Sequence, residues 1–228
     1  MAITRVQKTS AVDTTFASTV SAASITPAAG NCLIAVVAAD VVPLSGCTVS
    51  DSQNNAWTRI TTLSAAATFD LEIWASLNVV NAATIVRSHD TGGGVDSEII
   101  VEEWSGIATT NAIDQSHSAT GESNAPNSGA SPATTQADEL VIGAAVGSSP
   151  CGYTLGAGYT NLDTTATSYD VLAFESKVVA ATGAQTATFS LSASPSWVCS
   201  VATLKGIAAS TSYVPRHGFV HHNNPGIA

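Results

Sequence analysis

The feature that most constrains this chain is a succession of short segments with strand character and no segment with helical character. Each segment is rich in β-branched or aromatic residues and is bounded by Gly, Pro, Asn or Ser. No window of similar length combines apolar residues at helical spacing with capping residues. The sequence therefore predicts an all-β fold, with strands at Leu33–Asp40, Cys47–Asp51, Ala56–Leu63, Phe69–Val80, Ala83–His89, Val95–Trp104, Leu140–Gly147, Tyr169–Val179, Ala184–Ser192 and Trp197–Lys205.

Short motifs recur about 100 residues apart, at Phe69–Trp74 and Tyr169–Phe174, at Trp57–Ile60 and Tyr159–Leu162, and at Ser105–Ala108 and Lys205–Ala208. Tandem domains and one body of two similar halves both fit this spacing. We favour a single antiparallel β-sandwich over residues 1–209, because 228 residues suit one such domain. Its halves would be about residues 20–108 and 138–208, linked by a surface connection at 109–137 that is rich in Ser, Pro, Asn and Gly.

The last 19 residues, Ser210–Ala228, differ chemically from the rest of the chain. All 17 acids lie at or before Glu175, whereas this stretch has Arg216, three His and no acid. Pro215, Gly218 and Pro225 interrupt regular structure. We predict an extended arm, here called the C-terminal arm.

The formal net charge of −10 and the scattered positions of the seven Lys and Arg argue against a nucleic-acid partner. No apolar run approaches the roughly 20 residues that cross a bilayer, and Met1–Ser10 shows no Sec export signal. We therefore expect neither a membrane nor a nucleic acid among the partners.

Four cysteines are too few for a disulfide framework and show no zinc-type spacing. We predict buried free thiols. Cross-strand disulfides stay open as the alternative for Cys32, Cys47, Cys151 and Cys199.

Several stretches resemble a known family. They are Gly30–Val37, the turn at Val49–Thr58, Val101–Ile107, Asp138–Gly143, Gly156–Thr160 and Trp197–Lys205. Together they resemble the jelly-roll domain of tailed-phage structural proteins and related bacterial surface proteins, over about residues 20–208. The resemblance implies a jelly-roll-like sandwich that serves as a decoration, fibre or adhesion module.

Two loops contain groups that also occur in metal sites. Asp51, Asn54 and Asn55 lie in a polar turn, but the spacing of an EF-hand is absent, so we interpret them as turn-forming residues. His89, Asp90, Asp96 and Glu98 flank a Gly-rich loop, which more simply joins two strands. We predict no metal and no cofactor.

Pairs of acids at alternate strand positions are the main catalytic candidates. Asp70 and Glu72 form one pair and Glu98 and Glu102 another, as a glycosidase of this fold would need. Acids with this spacing also decorate solvent-facing strands, which we favour. We therefore predict no catalytic residue, with a glycoside hydrolase as the weaker alternative.

Trp57, Trp74, Trp104 and Trp197 could form a sugar-stacking platform, but we expect at least two of them in the core. Motifs for nucleotide binding, proteolysis and α/β-hydrolase chemistry are absent from the sequence.

We expect a non-enzymatic virion protein, most specifically a phage capsid decoration or cement protein that is assembled in the host cytoplasm. The alternative is a host- or carbohydrate-binding module of a tail fibre or adhesin. Expected partners are the major capsid protein or other virion subunits, with homo-oligomers in the assembly. In the arm the expected contact residues are Tyr213, Pro215, Arg216, His217, Phe219, His221 and His222. The expected recognition loops carry Asp90, Asp96, Asn124 and Asn127.

Overall fold

The computed structural model describes residues 1–40, 47–65, 69–90, 96–148 and 150–208. Within these ranges the chain forms strands and no helix, which confirms the all-β prediction. The described residues therefore contain no helical segment that could cross a membrane. The strands are β1 (Thr4–Asp13), β2 (Thr19–Ser21), β3 (Cys32–Asp40), β4 (Cys47–Asp51), β5 (Thr58–Ala65), β6 (Phe69–Ser76), β7 (Val86–Asp90), β8 (Ser97–Ser105), β9 (Ile113–Glu122), β10 (Glu139–Ser148), β11 (Tyr153–Thr154), β12 (Asn161–Ala166), β13 (Asp170–Val179), β14 (Ser190–Leu191) and β15 (Ser196–Lys205).

Two five-stranded antiparallel sheets form the centre of the molecule. Sheet 1 has the order β1-β8-β3-β6-β5, and sheet 2 has the order β12-β13-β10-β15-β9. The orders become identical when β9 is matched with β1, β15 with β8, β10 with β3, β13 with β6 and β12 with β5. The two halves of the chain therefore build the same sheet.

The two sheets pack face to face around one apolar core. Alternate residues of the central strands fill it, including Ile34, Ile73, Ile142, Phe174 and Leu204. At the sides of this sandwich, β5 lies against β9 and β1 lies against β12. This arrangement confirms the predicted sandwich of two similar sheets.

Smaller layers cover the outer faces of both sheets. The three-stranded sheet β2-β7-β4 covers sheet 1 through Val20, Val49 and Val86. On sheet 2, the pair β11-β14 and neighbouring segments supply Tyr153 and Phe189. The molecule thus has four layers, and the inner strands β8, β10 and β15 are buried on both faces over most of their length.

The recurring sequence motifs lie on equivalent strands of the two sheets, but the alignment of one pair of motifs differs from the structure by one residue. Val36 pairs with Ile73 and Ile100 in sheet 1, and Ala144 pairs with Phe174 and Ser200 in sheet 2. Ile73 therefore corresponds to Phe174, one position away from the alignment of Phe69–Trp74 with Tyr169–Phe174.

The first strand of each half was missing from the sequence prediction. β1 precedes residue 20, and β9 lies within the expected connection at 109–137. Both are edge strands, and each begins its half. The repeating unit therefore starts earlier than the boundaries at 20 and 138.

All four cysteines are buried thiols, which confirms the prediction. Burial raises the pKa values of Cys32 and Cys199 above their ordinary range.

Candidate functional site

The predicted contact residues of the C-terminal arm, Tyr213, Pro215, Arg216, His217, Phe219, His221 and His222, lie outside the described residues. Those assignments therefore stay predictions.

The predicted recognition-loop residues occupy different environments. Asp90 ends β7 opposite Cys47, and only its main chain is described. Asp96 is buried, so its assignment to an exposed recognition loop is wrong. Burial raises the pKa of Asp96, and the nearby Asp13 adds to the increase.

Asn124 and Asn127 are exposed on a segment that runs along residues 184–191. The Leu191 N–H donates to the Asn124 carbonyl oxygen at 2.8 Å. The Asn127 side-chain oxygen accepts the Gly129 N–H at 2.8 Å. The segment is thus held in place while Asn124 and Asn127 are exposed to solvent, as a recognition surface would require.

The interpretation of Asp70, Glu72, Glu98 and Glu102 as solvent-facing acids is wrong. All four side chains are buried. The reason is the four-layer architecture, because both sets of alternate residues on a central strand are covered.

Glu102 lies in the core between the two sheets and is held by hydrogen bonds. It accepts the Arg5 guanidinium and the Trp104 indole N–H, each at 2.8 Å. Arg5 also pairs with Asp163 of β12 at 2.7 Å, and Lys8 pairs with the same carboxylate. These four charged residues, here called the β1 clamp, join β1 and β8 of sheet 1 to β12 of sheet 2.

Glu98 lies on the same inner face of β8, and neither of its carboxylate oxygens makes a hydrogen bond of ordinary geometry. Burial raises the pKa of Glu98 to about 9, and the neighbouring Asp170 adds to the increase. Polar groups of Thr165 and Leu172 offset only part of this effect. Glu98 is therefore protonated at neutral pH.

Buried carboxylates also hold tryptophans and turns. The indole N–H of Trp57 donates to Asp51 at 2.8 Å, and that of Trp74 donates to Glu72 at 2.7 Å. Asp51 accepts two further backbone N–H groups, from Gln53 and Asn55, which confirms its turn-forming role. Within the described ranges no three His, Cys, Asp or Glu side chains are placed to hold a metal ion.

Trp104 and Trp197 are buried, which confirms the expectation that at least two tryptophans belong to the core. Trp57 and Trp74 are half-buried against the outer face of sheet 1. The Arg59 guanidinium lies 5.7 Å from the Trp74 ring centroid. The four tryptophans therefore do not share one exposed platform.

The outer face of the three-stranded sheet presents a different group of side chains. On the central strand β7, Arg87 and His89 point away from the core, since Val86 and Ser88 at the alternate positions are buried. Arg87 pairs with Ser21 and Ser50, and His89 pairs with Thr19 and Thr48. Each basic residue therefore has a hydroxyl residue on both sides, and we call these six residues the Arg87 face.

Hydroxyl groups fix the imidazole of His89. The Ser50 hydroxyl lies 2.6 Å from Nε2, and the Thr19 hydroxyl lies 3.2 Å from Nδ1. Arg87 is the only Arg or Lys in the described part of the chain that has neither an ion pair nor a ring contact. A guanidinium beside ordered hydroxyls can bind an anionic or polyhydroxylated ligand.

In the sequence, His89, Asp90, Asp96 and Glu98 could together hold a metal ion, but a loop that simply joins two strands is the preferred interpretation. Asp96 and Glu98 are buried, whereas His89 is half-exposed on the outer layer. Arg87 was not singled out at all. The signal was the alternation of Val86, Arg87, Ser88 and His89, which places the two basic residues on one face.

Comparisons with protein-family models, with curated proteins and with solved structures find no match for this chain. The resemblance to the phage jelly-roll domain therefore stays a prediction from the sequence motifs.

Proposed function

We propose that this chain is a non-enzymatic structural protein of a virus particle, most specifically a capsid decoration or cement protein. The sandwich would sit on the shell, and the C-terminal arm would bind the major capsid protein or another virion subunit. The observation that carries the proposal is the contrast between the acid-free arm and a body that contains all 17 acids.

The position at which the arm leaves the sandwich supports this role. The described chain ends at Ala208, just after Gly206 pairs with Ile107. At the same end of the sandwich, Met1, Val178 and Ile207 are exposed apolar residues. An open groove of about 390 Å³ lies there between the sheets, lined in part by Ile3, Arg5, Trp104, Asn161, Lys177 and Val178. This end, here called the arm end, offers an apolar surface next to the start of the arm.

Stabilisation of the shell would arise from repetition of weak contacts. A shell presents equivalent sites to many copies, so modest contacts of the arm and the arm end are multiplied by symmetry. The structure of the body suits this role because its acids are used internally. Glu72 and Glu102, the residues that a hydrolase would need, are buried and bonded to arginine and tryptophan.

The test uses native particles stripped of this protein. The full chain should rebind with hundreds of copies per particle by gel densitometry, and a chain without residues 210–228 should lose rebinding while its thermal unfolding stays unchanged. Ile207→Ser should weaken rebinding, whereas Tyr169→Ser, at an exposed aromatic of the opposite end, should not. Undiminished rebinding of the truncated chain, or only a handful of copies per particle, would overturn the proposal.

A second candidate is a host- or carbohydrate-binding module of a tail fibre or adhesin. The Arg87 face favours it, because an unpaired guanidinium and fixed hydroxyls occur together on an exposed sheet. Arg87→Ala should abolish binding to an array of neutral and sulfated glycans, and Lys177→Ala, at a cation that packs on Tyr159, should not. The absence of glycan binding by the unmodified chain would exclude this candidate.

A further inference from the structure

Strand β1 is one of the four edge strands of the two central sheets. It lies at the edge of sheet 1 and pairs only with β8. Each of its ten residues is exposed or half-buried, and none is fully buried. An edge strand can open locally while the rest of its sheet stays paired.

The segment that joins β1 to β2, residues 14–18, contains a strained residue. Phe16 has φ of 57°, and its side chain is 56% exposed. A bulky L-residue rarely adopts this left-handed conformation, which costs a factor of roughly 5 to 30 in an equilibrium constant. The exposed ring gains little from burial in return. Extending this segment would release the strain.

One side chain opposes that extension. The Asp13 carboxylate accepts the Thr15 hydroxyl at 2.6 Å, the Thr15 N–H at 3.2 Å and the Ala17 N–H at 2.7 Å. These bonds hold the closed turn, while Phe16 disfavours it. The hinge therefore combines two effects of opposite sign, which reduces the free-energy difference between its closed and extended forms.

We propose that β1 exchanges between two copies of this chain. In the exchanged dimer, β1 of each copy pairs with β8 of the other. Arg5 and Lys8 of one copy then form the β1 clamp with Glu102 and Asp163 of the other. The Gln7 side chain likewise donates to Glu103, as it does at 2.5 Å within one chain. The same contacts form in both states, and only the hinge differs.

The equivalent strand β9 is followed by a segment that backbone hydrogen bonds attach to the rest of the fold. The Ser123 N–H donates to the Pro195 carbonyl oxygen at 3.2 Å, and the Leu191 N–H donates to the Asn124 carbonyl oxygen at 2.8 Å. This difference between the halves favours exchange of β1 over exchange of β9.

This inference goes beyond the proposed attachment through the arm, because it concerns contacts between copies that do not use residues 210–228. The decoration proposal and the exchange of β1 can therefore be refuted independently. A chain without the arm that still exchanges β1 would contradict only the decoration proposal, and a chain that binds particles without exchange would contradict only this inference.

The decisive experiment mixes two single-cysteine variants of the full chain, Thr4→Cys and Ser105→Cys. These residues are paired across β1 and β8, and the four native cysteines are buried. The double variant is the control for geometry, and it should form a disulfide within one chain. After incubation of the mixture at high concentration and mild oxidation, we expect a disulfide-linked heterodimer on non-reducing gels. Its absence, when the double variant does form its disulfide, would overturn the proposal.

A second measurement tests the hinge. In the same mixture, adding Phe16→Gly should lower the heterodimer yield at least about fivefold, because glycine removes the strain of the closed turn. Adding Asp13→Ala should raise the yield. The matched control is Asn54→Gly, which relieves a φ of 58° outside the hinge and should leave the yield unchanged. Equal yields for the Phe16 variant and the unmodified hinge would refute the role of strain.

Discussion

Replacing Glu98 by glutamine should stabilise the fold at alkaline pH and leave it nearly unchanged at acidic pH. The carboxyl group is buried between the sheets, and neither oxygen makes a hydrogen bond of ordinary geometry. Its pKa is raised from the ordinary value of 4.5 to about 9, mainly by burial. The folded chain therefore keeps a proton that the unfolded chain releases above pH 4.5.

The sign and size of the effect follow from this difference in bound protons. Stability from Glu98 is fully present below pH 4.5 and is lost as the pH rises toward 9. Each pH unit in this window costs about 1.4 kcal/mol, so the loss between pH 5 and pH 8 is at most about 4 kcal/mol. Water penetration reduces this figure, and we expect about 1 to 4 kcal/mol. That is a large part of the roughly 5 to 15 kcal/mol that stabilises a typical domain.

Urea denaturation monitored by tryptophan fluorescence at pH 5, 6.5 and 8 measures the effect. Glu98→Gln should lose less stability between pH 5 and pH 8 than the unmodified chain. Glu122→Gln, at an exposed acid that ends β9, should keep the unmodified slope. If Glu98→Gln and the unmodified chain lose stability in parallel, Glu98 is ionised in the folded state and the reasoning is refuted.

Three further substitutions test the architecture by thermal or urea unfolding. Gly106→Ala should lower the free energy of unfolding by at least about 2 kcal/mol, because φ is 78° there and a Cβ would clash with the Ala2 carbonyl oxygen. An unchanged unfolding midpoint would show that residues 2 and 106 do not pack together. Asp51→Ala should cost about 1 to 3 kcal/mol through the loss of its turn and indole hydrogen bonds, and a neutral result would contradict its structural role. Phe174→Ala should cost about 3 to 5 kcal/mol in the shared core, and exposed Tyr169→Ala should cost little; equal effects would argue against the face-to-face packing.

The sequence predicted the central strands because their buried residues are consistently apolar. Leu33–Asp40 and Trp197–Lys205 were placed to within one residue of β3 and β15. β1 and β9 were missed because they are edge strands and have no fully buried face. Their Lys, Gln, Ser and Thr residues do not give a strong alternation of apolar and polar residues. The alternation of apolar and polar residues shows which side chains share a face of a strand. It does not show whether another layer of the protein covers that face.

The same limit explains the error over the acids. Alternation correctly placed Asp70 and Glu72 on the face opposite Leu71, but it could not show that this face would be covered by the β2-β7-β4 layer. The Arg87 face was missed for a related reason. Its six residues come from three strands that are distant in sequence, and only the pairing register brings them together.

The burial of acids changes what the net charge implies about partners. Of the acids in the described ranges, only Glu122 and Asp138 are exposed, and eleven are buried. The composition therefore does not give the body a strongly acidic surface. A C-terminal arm with Arg216 and three His finds few carboxylates on its own sandwich, and histidine gains charge close to neutral pH. We therefore predict that the carboxylates that pair with the arm belong to another protein, as the proposed shell-binding role would require.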